Sequence, residues 1–224
     1  MLDPQQTVAN LVLDHSECAA VFVRHRIDFC CRGNLSIEEA AKGRNVEVDQ
    51  LLGELSRTIA ERRGAEGEDP RTMTTPTLVA HIVSKHHTCL RKVIPFVQTL
   101  AAKVSRVHGE HDPRLRTLET AVEELAAALV PHLAEEEQRL FPALEGARVD
   151  PATVAAQLSS MVNEHLAVAS MLERIRSVSG GFTVPDWACN SYRTLFSELE
   201  QLESDVFTHV HLENHVLRPR FVDA

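Results

Sequence analysis

The chain has 224 residues, with 32 acidic side chains against 23 basic ones and a formal net charge of −9. A surface of that sign excludes a general grip on the nucleic-acid backbone. No apolar run approaches the roughly 18 residues that span a bilayer, and the opening MLDPQQTVAN lacks the basic start and apolar stretch of an export signal. A cytoplasmic protein with neither nucleic-acid nor membrane partners is therefore expected. Aromatic residues are only 4 % of the chain, and Ala, Leu and Glu abound, which favours helices over strands and an all-α fold class. Two features stand out: 12 histidines, and the adjacent pair Cys30 and Cys31 among five cysteines. An odd cysteine count without an export signal argues for reduced thiols.

Residues 1–62 read as a small helical domain. Asp3-Pro4 can open a first helix, since proline is tolerated at the first helical position. Ser36 with Glu39 makes a capping box before Ala40-Ala41, and an amphipathic stretch follows from Glu47 to Arg62. Residues 63–74 read as a linker, because Arg63 to Pro70 carries no apolar periodicity. From residue 75 to 224 the pattern predicts four long helices, at roughly 76–107, 113–144, 151–178 and 186–218. Thr75-Pro76, Asp112-Pro113 and Asp150-Pro151 each pair a capping side chain with a proline, and the fourth helix begins near Pro185-Asp186. Short connections between long helices imply an antiparallel four-helix bundle. Pro95 and Pro131 are expected to kink their helices.

The second and fourth helices repeat one another. His132, Glu136, Leu140 and Pro142 recur as His209, Glu213, Leu217 and Pro219, at a constant offset of 77, and His87 and His165 are offset by 78. The bundle thus reads as two duplicated hairpins. His and Glu at i and i+4 project from one helix face, so each pair can grip one metal. Residues at equal height in an antiparallel hairpin are centred on its turn. His87 and His132 are centred at 109.5, Glu136 and His165 at 150.5, and His165 and His209 at 187, each on or near a predicted connection. His87, His132, Glu136, His165, His209 and Glu213 should therefore meet at one level. Six ligands exceed the four that close a structural zinc site. Two bridging carboxylates, Glu136 and Glu213, with terminal imidazoles suit a dinuclear iron or manganese centre with open coordination positions.

The remaining candidates read more plainly. His15, His25, His81, His86, His111 and His215 are expected to be core or solvated, and His211 faces away from His209. His108 follows His87 by 21 residues, about 30 Å along a helix, and is read as a loop residue. Within Glu135-Glu136-Glu137 only Glu136 has the phase of a ligand, and Glu164 stays open between a support and a surface role. Cys30 and Cys31 cannot easily bridge each other. Beside Arg26 and Arg32 their pKa values could be lowered, which leaves three options: a nitrosation site, a redox pair or metal ligands. Cys18, Cys89 and Cys189 are expected to be small core residues.

Two motifs together resemble a known family. Asp28-Phe29-Cys30-Cys31-Arg32-Gly33 is similar to an Asp-aromatic-Cys-Cys-x-Gly motif. The sets His132-x-x-x-Glu136-Glu137-x-x-Leu140-Phe141-Pro142, Glu164-His165 and His209-x-x-x-Glu213-Asn214 are similar to a hemerythrin-like bundle. In this combination the chain resembles the di-iron proteins for repair of iron centres, the ScdA/YtfE-like iron–sulfur cluster repair family, over nearly its whole length. The resemblance implies two iron ions, oxo- or hydroxo-bridged, held by the six ligands named above with Glu136 and Glu213 bridging. It implies a stress response in which iron–sulfur clusters damaged by nitrosative or oxidative chemistry are repaired. Iron donation or nitric oxide handling would do this, with Cys30 and Cys31 as thiols and damaged iron–sulfur proteins, nitric oxide or O₂ as partners. Turnover and stoichiometric donation both fit, and a homodimer stays open. A histidine at the position of His108 also recurs in the family. The alternative is a hemerythrin-like O₂ or NO sensor or carrier. Oxygen carriers use a further histidine four residues after the third-helix His, where this chain has Ala169.

Overall fold

The computed structural model describes residues 2–61, 69–146 and 150–222, and among these every regular element is helical. The chain divides into two compact units. One combines residues 1–78 with 207–224, and the other comprises residues 79–206.

In the first unit, α1 (Val8–Asp14), α2 (Cys18–Arg24), α3 (Ile37–Gly43) and α4 (Val48–Glu61) are short and amphipathic. They bury Val8, Leu11, Phe22, Phe29, Ile37, Leu51 and Leu55. The first helix opens later than the Asp3-Pro4 signal suggested. Thr7 is its cap and accepts from the Asn10 amide, while Asp3 and Pro4 form a preceding turn. The Ser36/Glu39 capping box is present in full: Glu39 donates its amide to Ser36 Oγ, and the Glu39 carboxylate accepts from the Ser36 amide at 2.9 Å. The expected linker falls partly outside the described residues. Residues 69–74 form turns, with Thr72 donating its amide to the Asp69 carbonyl.

The second unit is built on α6 (Thr88–His108), α7 (Arg114–Glu135), α9 (Pro151–Val178) and the first part of α10 (Asn190–Leu212). Gln98 on α6 reaches Glu123 on α7, and His87 just before α6 reaches Glu137 just after α7. Rising numbers on one helix meet falling numbers on the other, so the pair is antiparallel. Glu124–Arg174 and His132–Glu164 show the same sense for α7 and α9. Asp150 caps α9 with proline at its first position, as expected, and neither Pro95 nor Pro131 ends its helix. The fourth helix begins at Asn190, later than expected, because Pro185 to Ala188 close a turn first.

The main departure from the sequence reading is in the backbone. The expected long helices are interrupted by π-helical turns at Val83–His87, Glu136–Leu140 and Glu213–Leu217. The first is preceded by α5 (Thr75–Ile82) and the second is followed by α8 (Phe141–Glu145). In each turn an amide bonds the carbonyl five residues back: Thr88 to Val83, Phe141 to Glu136 and Arg218 to Glu213. Such one-residue insertions are costly and concentrate at functional sites. The second and third open on the two repeated glutamates, so the duplication extends from side chains to backbone.

Two polar contacts hold the second unit and can be tested. Arg176 on α9 donates through Nε to Glu203 on α10 at 2.8 Å and also through Nη2, and its guanidinium lies 4.6 Å from the Phe182 ring centre. The side chains are 11 % and 3 % exposed. Without Glu203, the buried Arg176 charge keeps only the exposed Glu200, whose Oε1 is 3.7 Å from Nη2. Glu203→Ala is therefore expected to cost about 3–5 kcal/mol in urea unfolding. A loss under about 1 kcal/mol, typical of a surface pair, would contradict this. Asp112, before α7, accepts from Arg114 Nε at 2.9 Å and from the Tyr192 hydroxyl at 3.3 Å. Its hydrogen bonds to Arg114 hold its carboxyl below the usual range. A carboxyl lowered on folding stabilises above its unfolded pKa, and the contribution is lost as pH falls through the folded value. Wild type should thus exceed Asp112→Asn in Tm at neutral pH, with the gap closing below about pH 4.

Candidate metal centre

Four of the six expected ligands come together within residues 79–206. His132 and Glu136 lie one turn apart where α7 passes into its π-turn. His165 sits in the middle of α9, and His87 ends the π-turn before α6. All four are buried, none more than 5 % exposed. His132 Nε2 is 3.3 Å from Glu136 Oε1, and His165 Nε2 is 3.7 Å from that same oxygen. The two imidazole nitrogens are 3.2 Å apart. The other oxygen, Oε2, lies 3.6 Å from His87 Nε2. Glu136 thus turns one oxygen toward one pair of imidazoles and its second oxygen toward another imidazole.

The opposite nitrogens are held by a second rank of carboxylates. His132 Nδ1 donates to Glu164 Oε2 at 2.8 Å, and Ser160 Oγ donates to the other Glu164 oxygen at 3.1 Å. His87 Nδ1 donates to Glu137 Oε1 at 2.9 Å, with Arg91 Nη2 at 3.0 Å from that oxygen. These bonds put the Nδ1 protons outward and leave the Nε2 lone pairs facing Glu136, the arrangement found around metal-ligating histidines. His87 also stacks on Phe141, with ring centres 5.7 Å apart. A cleft lined by His132, Glu136, Arg139, Gln157, Ser160 and Glu164 lies beside this group.

His209 and Glu213 belong to the other unit. Both are wholly buried, and His209 Nε2 is 4.0 Å from Glu213 Oε2. Burying carboxylates among imidazoles is costly without a compensating cation. Oxygen and nitrogen donors in this mixture suit a divalent transition metal such as iron. The donor set therefore fits a metal.

In the first unit, the Asp28–Cys31 turn is fastened to the helix that carries His209 and Glu213. His211 Nδ1 donates to the Phe29 carbonyl at 3.2 Å, Asn214 Nδ2 to the Cys30 carbonyl at 3.0 Å, and His215 Nε2 to that same carbonyl at 2.8 Å. Burial, aided by His215, pushes His211 down to about 3, so its ring stays neutral. Burial also pushes the Cys30 thiol well up, and hydrogen bonding to Cys31 and the charge of Asp28 push the same way. The expected lowering by Arg26 and Arg32 therefore fails for Cys30: desolvation of the thiolate outweighs charges at the surface.

Other sequence expectations change with the packing. Glu137 is no solvated bystander but the partner of His87, and Glu164 has a defined role under His132. His215 and Asn214, passed over in the sequence, hold the cysteine turn. Their position one helical turn after His211 on a shared face was the available signal. Cys18 is buried, with a thiol raised by burial to about 12. Cys189 is exposed instead, 3.1 Å from His108 Nε2. His108, read from the sequence as a loop residue, is instead the last residue of α6 and packs against Trp187 and Tyr192.

Residues 78–221 match the hemerythrin HHE cation binding domain, and residues 4–58 match a domain of unknown function, DUF542, also called ScdA_N. The chain is 32 % identical to the iron–sulfur cluster repair protein ScdA of Staphylococcus haemolyticus, covering 99 % of this chain and 100 % of that protein. It is 31 % identical to the iron–sulfur cluster repair protein YtfE of Yersinia pseudotuberculosis, over 96 % of each chain. YtfE of Yersinia pestis is similar to the same extent. With a DUF542 segment, a cation-binding bundle of histidines and glutamates, and relatives matched from end to end, the chain belongs to the ScdA/YtfE family of iron–sulfur cluster repair proteins.

Proposed function

We propose that this protein repairs iron–sulfur clusters damaged by nitrosative or oxidative stress, using a di-iron centre that donates iron, handles nitric oxide, or does both. His87, His132, Glu136, His165, His209 and Glu213 would hold the two irons, with Glu136 and Glu213 bridging. The observation that carries this reading is the division of the two Glu136 oxygens between separate imidazoles. The repeat of His132/Glu136 as His209/Glu213 supplies the second half of the ligand set. When bound, the metals would supply exchangeable iron and open positions for a small ligand. The protein's part is to present the imidazoles through Nε2, to anchor Nδ1 of His87 on Glu137 and of His132 on Glu164, and to keep Glu136 buried between them.

The names of the relatives favour repair over an O₂ or NO carrier, and Ala169 at the carrier's extra histidine position points the same way. Cys30 and Cys31 would serve as a thiol partner in the repair, and damaged iron–sulfur proteins as its clients. A cytoplasmic site of action follows from those clients. No helix among the described residues is long and apolar enough to cross a membrane.

The test is recovery of a nitric-oxide-damaged iron–sulfur enzyme on addition of iron-loaded protein, with iron counted in both before and after. Recovery in step with iron lost from this protein supports donation. Recovery with the iron retained, and nitric oxide consumed, supports the nitric oxide branch. Equal recovery with an iron-free Glu213→Ala variant overturns the proposal.

A further inference from the structure

The Asp28–Cys31 turn carries a geometry that the His/Glu centre does not explain. Asp28 Oδ1 accepts from the amides of Cys30 at 3.1 Å and Cys31 at 2.7 Å, which folds the turn back on itself. It also accepts from the Cys30 thiol at 3.2 Å, and the two sulfur atoms are 3.6 Å apart. One carboxylate oxygen and both sulfurs thus lie within 4.8 Å of one another. Two metal–sulfur bonds of about 2.3 Å at a tetrahedral angle put sulfurs roughly 3.8 Å apart, and replacing one sulfur by an oxygen at about 2.0 Å gives an edge of roughly 3.5 Å. The observed separations are near both values.

The turn is also rigid before any ion arrives. Its two carbonyls are tied down by His211, Asn214 and His215, and Gly33 just beyond it packs too closely for a side chain. Cys30 is buried at 1 % exposure, whereas Cys31 is half-buried and Asp28 likewise, so one side of the trio faces outward.

We infer that Asp28, Cys30 and Cys31 form a second metal site, for a single thiophilic divalent cation such as Zn²⁺ or Fe²⁺, with its fourth position open. The cation takes the place that the Cys30 thiol proton holds between sulfur and Asp28 Oδ1. Both thiols lose their protons to solvent, and the resulting dithiolate–carboxylate set carries three negative charges against the two of the ion. Thiolate ligands select soft and borderline metals, and a coordinated thiol is deprotonated outright even where burial opposes it. Three protein ligands leave one position for water or an incoming donor, unlike a closed structural site. This site does not depend on the di-iron reading, because it shares no residue with the six histidines and glutamates.

The experiment is titration of the reduced full-length protein with Co²⁺ under anaerobic conditions. Sulfur-to-cobalt charge-transfer absorption in the near ultraviolet reports thiolate ligation, and cobalt on imidazole and carboxylate does not produce it. One equivalent of cobalt should develop this band, and Zn²⁺ should displace it. Cys31→Ser, at a half-exposed position that tolerates the change, should abolish it. Asp28→Asn keeps the oxygen that the backbone amides need but loses the charge, and should weaken binding about tenfold or more. In parallel, Zn²⁺ should slow alkylation of Cys31 in the wild type. No charge-transfer band in a folded, fully reduced wild type overturns the site, as does a band that survives in Cys31→Ser. An unchanged cobalt affinity in Asp28→Asn overturns the role of the carboxylate.

Discussion

Replacing Glu136 by alanine is expected to empty the candidate centre. Iron in freshly purified protein should fall from about two per chain to well below one, and near-ultraviolet absorption from bound iron should vanish with it. The two oxygens of Glu136 face imidazoles on both sides, His132 and His165 at one and His87 at the other. In the proposed di-iron centre its loss would remove a ligand from both metals at once, whereas loss of a terminal histidine would remove one ligand from one metal. The fold should survive, since an unneutralised carboxylate buried at 2 % exposure is itself costly. The iron-free variant should therefore unfold no earlier than iron-free wild type by circular dichroism. Two irons retained in Glu136→Ala would remove it from the centre.

The second large effect is expected at Gly33. A Cβ built there would lie 2.6 Å from Ala9 Cβ and 2.6 Å from His215 Nε2, closer than packed atoms approach. Neither neighbour yields easily. Ala9 donates its amide to the Gly33 carbonyl at 3.0 Å at the start of α1, and His215 is bonded to the Cys30 carbonyl. Gly33→Ala should thus cost about 2 kcal/mol or more, lowering Tm by roughly 5 °C in a chain of this size. Because the displaced His215 releases the cysteine turn, Cys31 should also become alkylated faster in the native protein. A Tm within 1 °C of wild type, on the order of what a neutral surface change gives, would mean that the turn relaxes without strain. The two losses are expected to be independent, since Glu136 belongs to the proposed metal centre and Gly33 to the frame of the thiols.

These two residues also mark how far the sequence could be read. Glu136 was legible because a helix turns every 3.6 residues, so His132 and Glu136 had to share a face. The repeat at a constant offset of 77 raised that pairing above coincidence. Gly33 was visible only as part of a motif. What excludes its Cβ is Ala9 and His215, one 24 residues before it and the other 182 after it in the chain. The π-turns were illegible for a related reason. Apolar spacing along Val83–His87 or Glu136–Leu140 does not distinguish a helix with one inserted residue from a regular one. The insertion stands because it is tied to buried polar groups, not because the local residues prefer it.

The sequence by itself determined the all-helical class, the antiparallel order of the long helices, and the histidines and glutamates able to share a centre. Those properties follow from local rules: caps and prolines that start helices, short connections that force neighbours to run oppositely, and a fixed angular step per residue. Only the tertiary structure decided which nitrogen of His87 and of His132 faces Glu136, because that depends on Glu137 and Glu164 reaching Nδ1 from other turns of the bundle. It likewise decided the state of the cysteines. Beside arginines in the sequence, Cys30 could have had a lowered pKa, yet burial first, then hydrogen bonding to Cys31 and the charge of Asp28, push its thiol well up. Desolvation is a property of everything packed around a group, and neighbours in the chain do not report it.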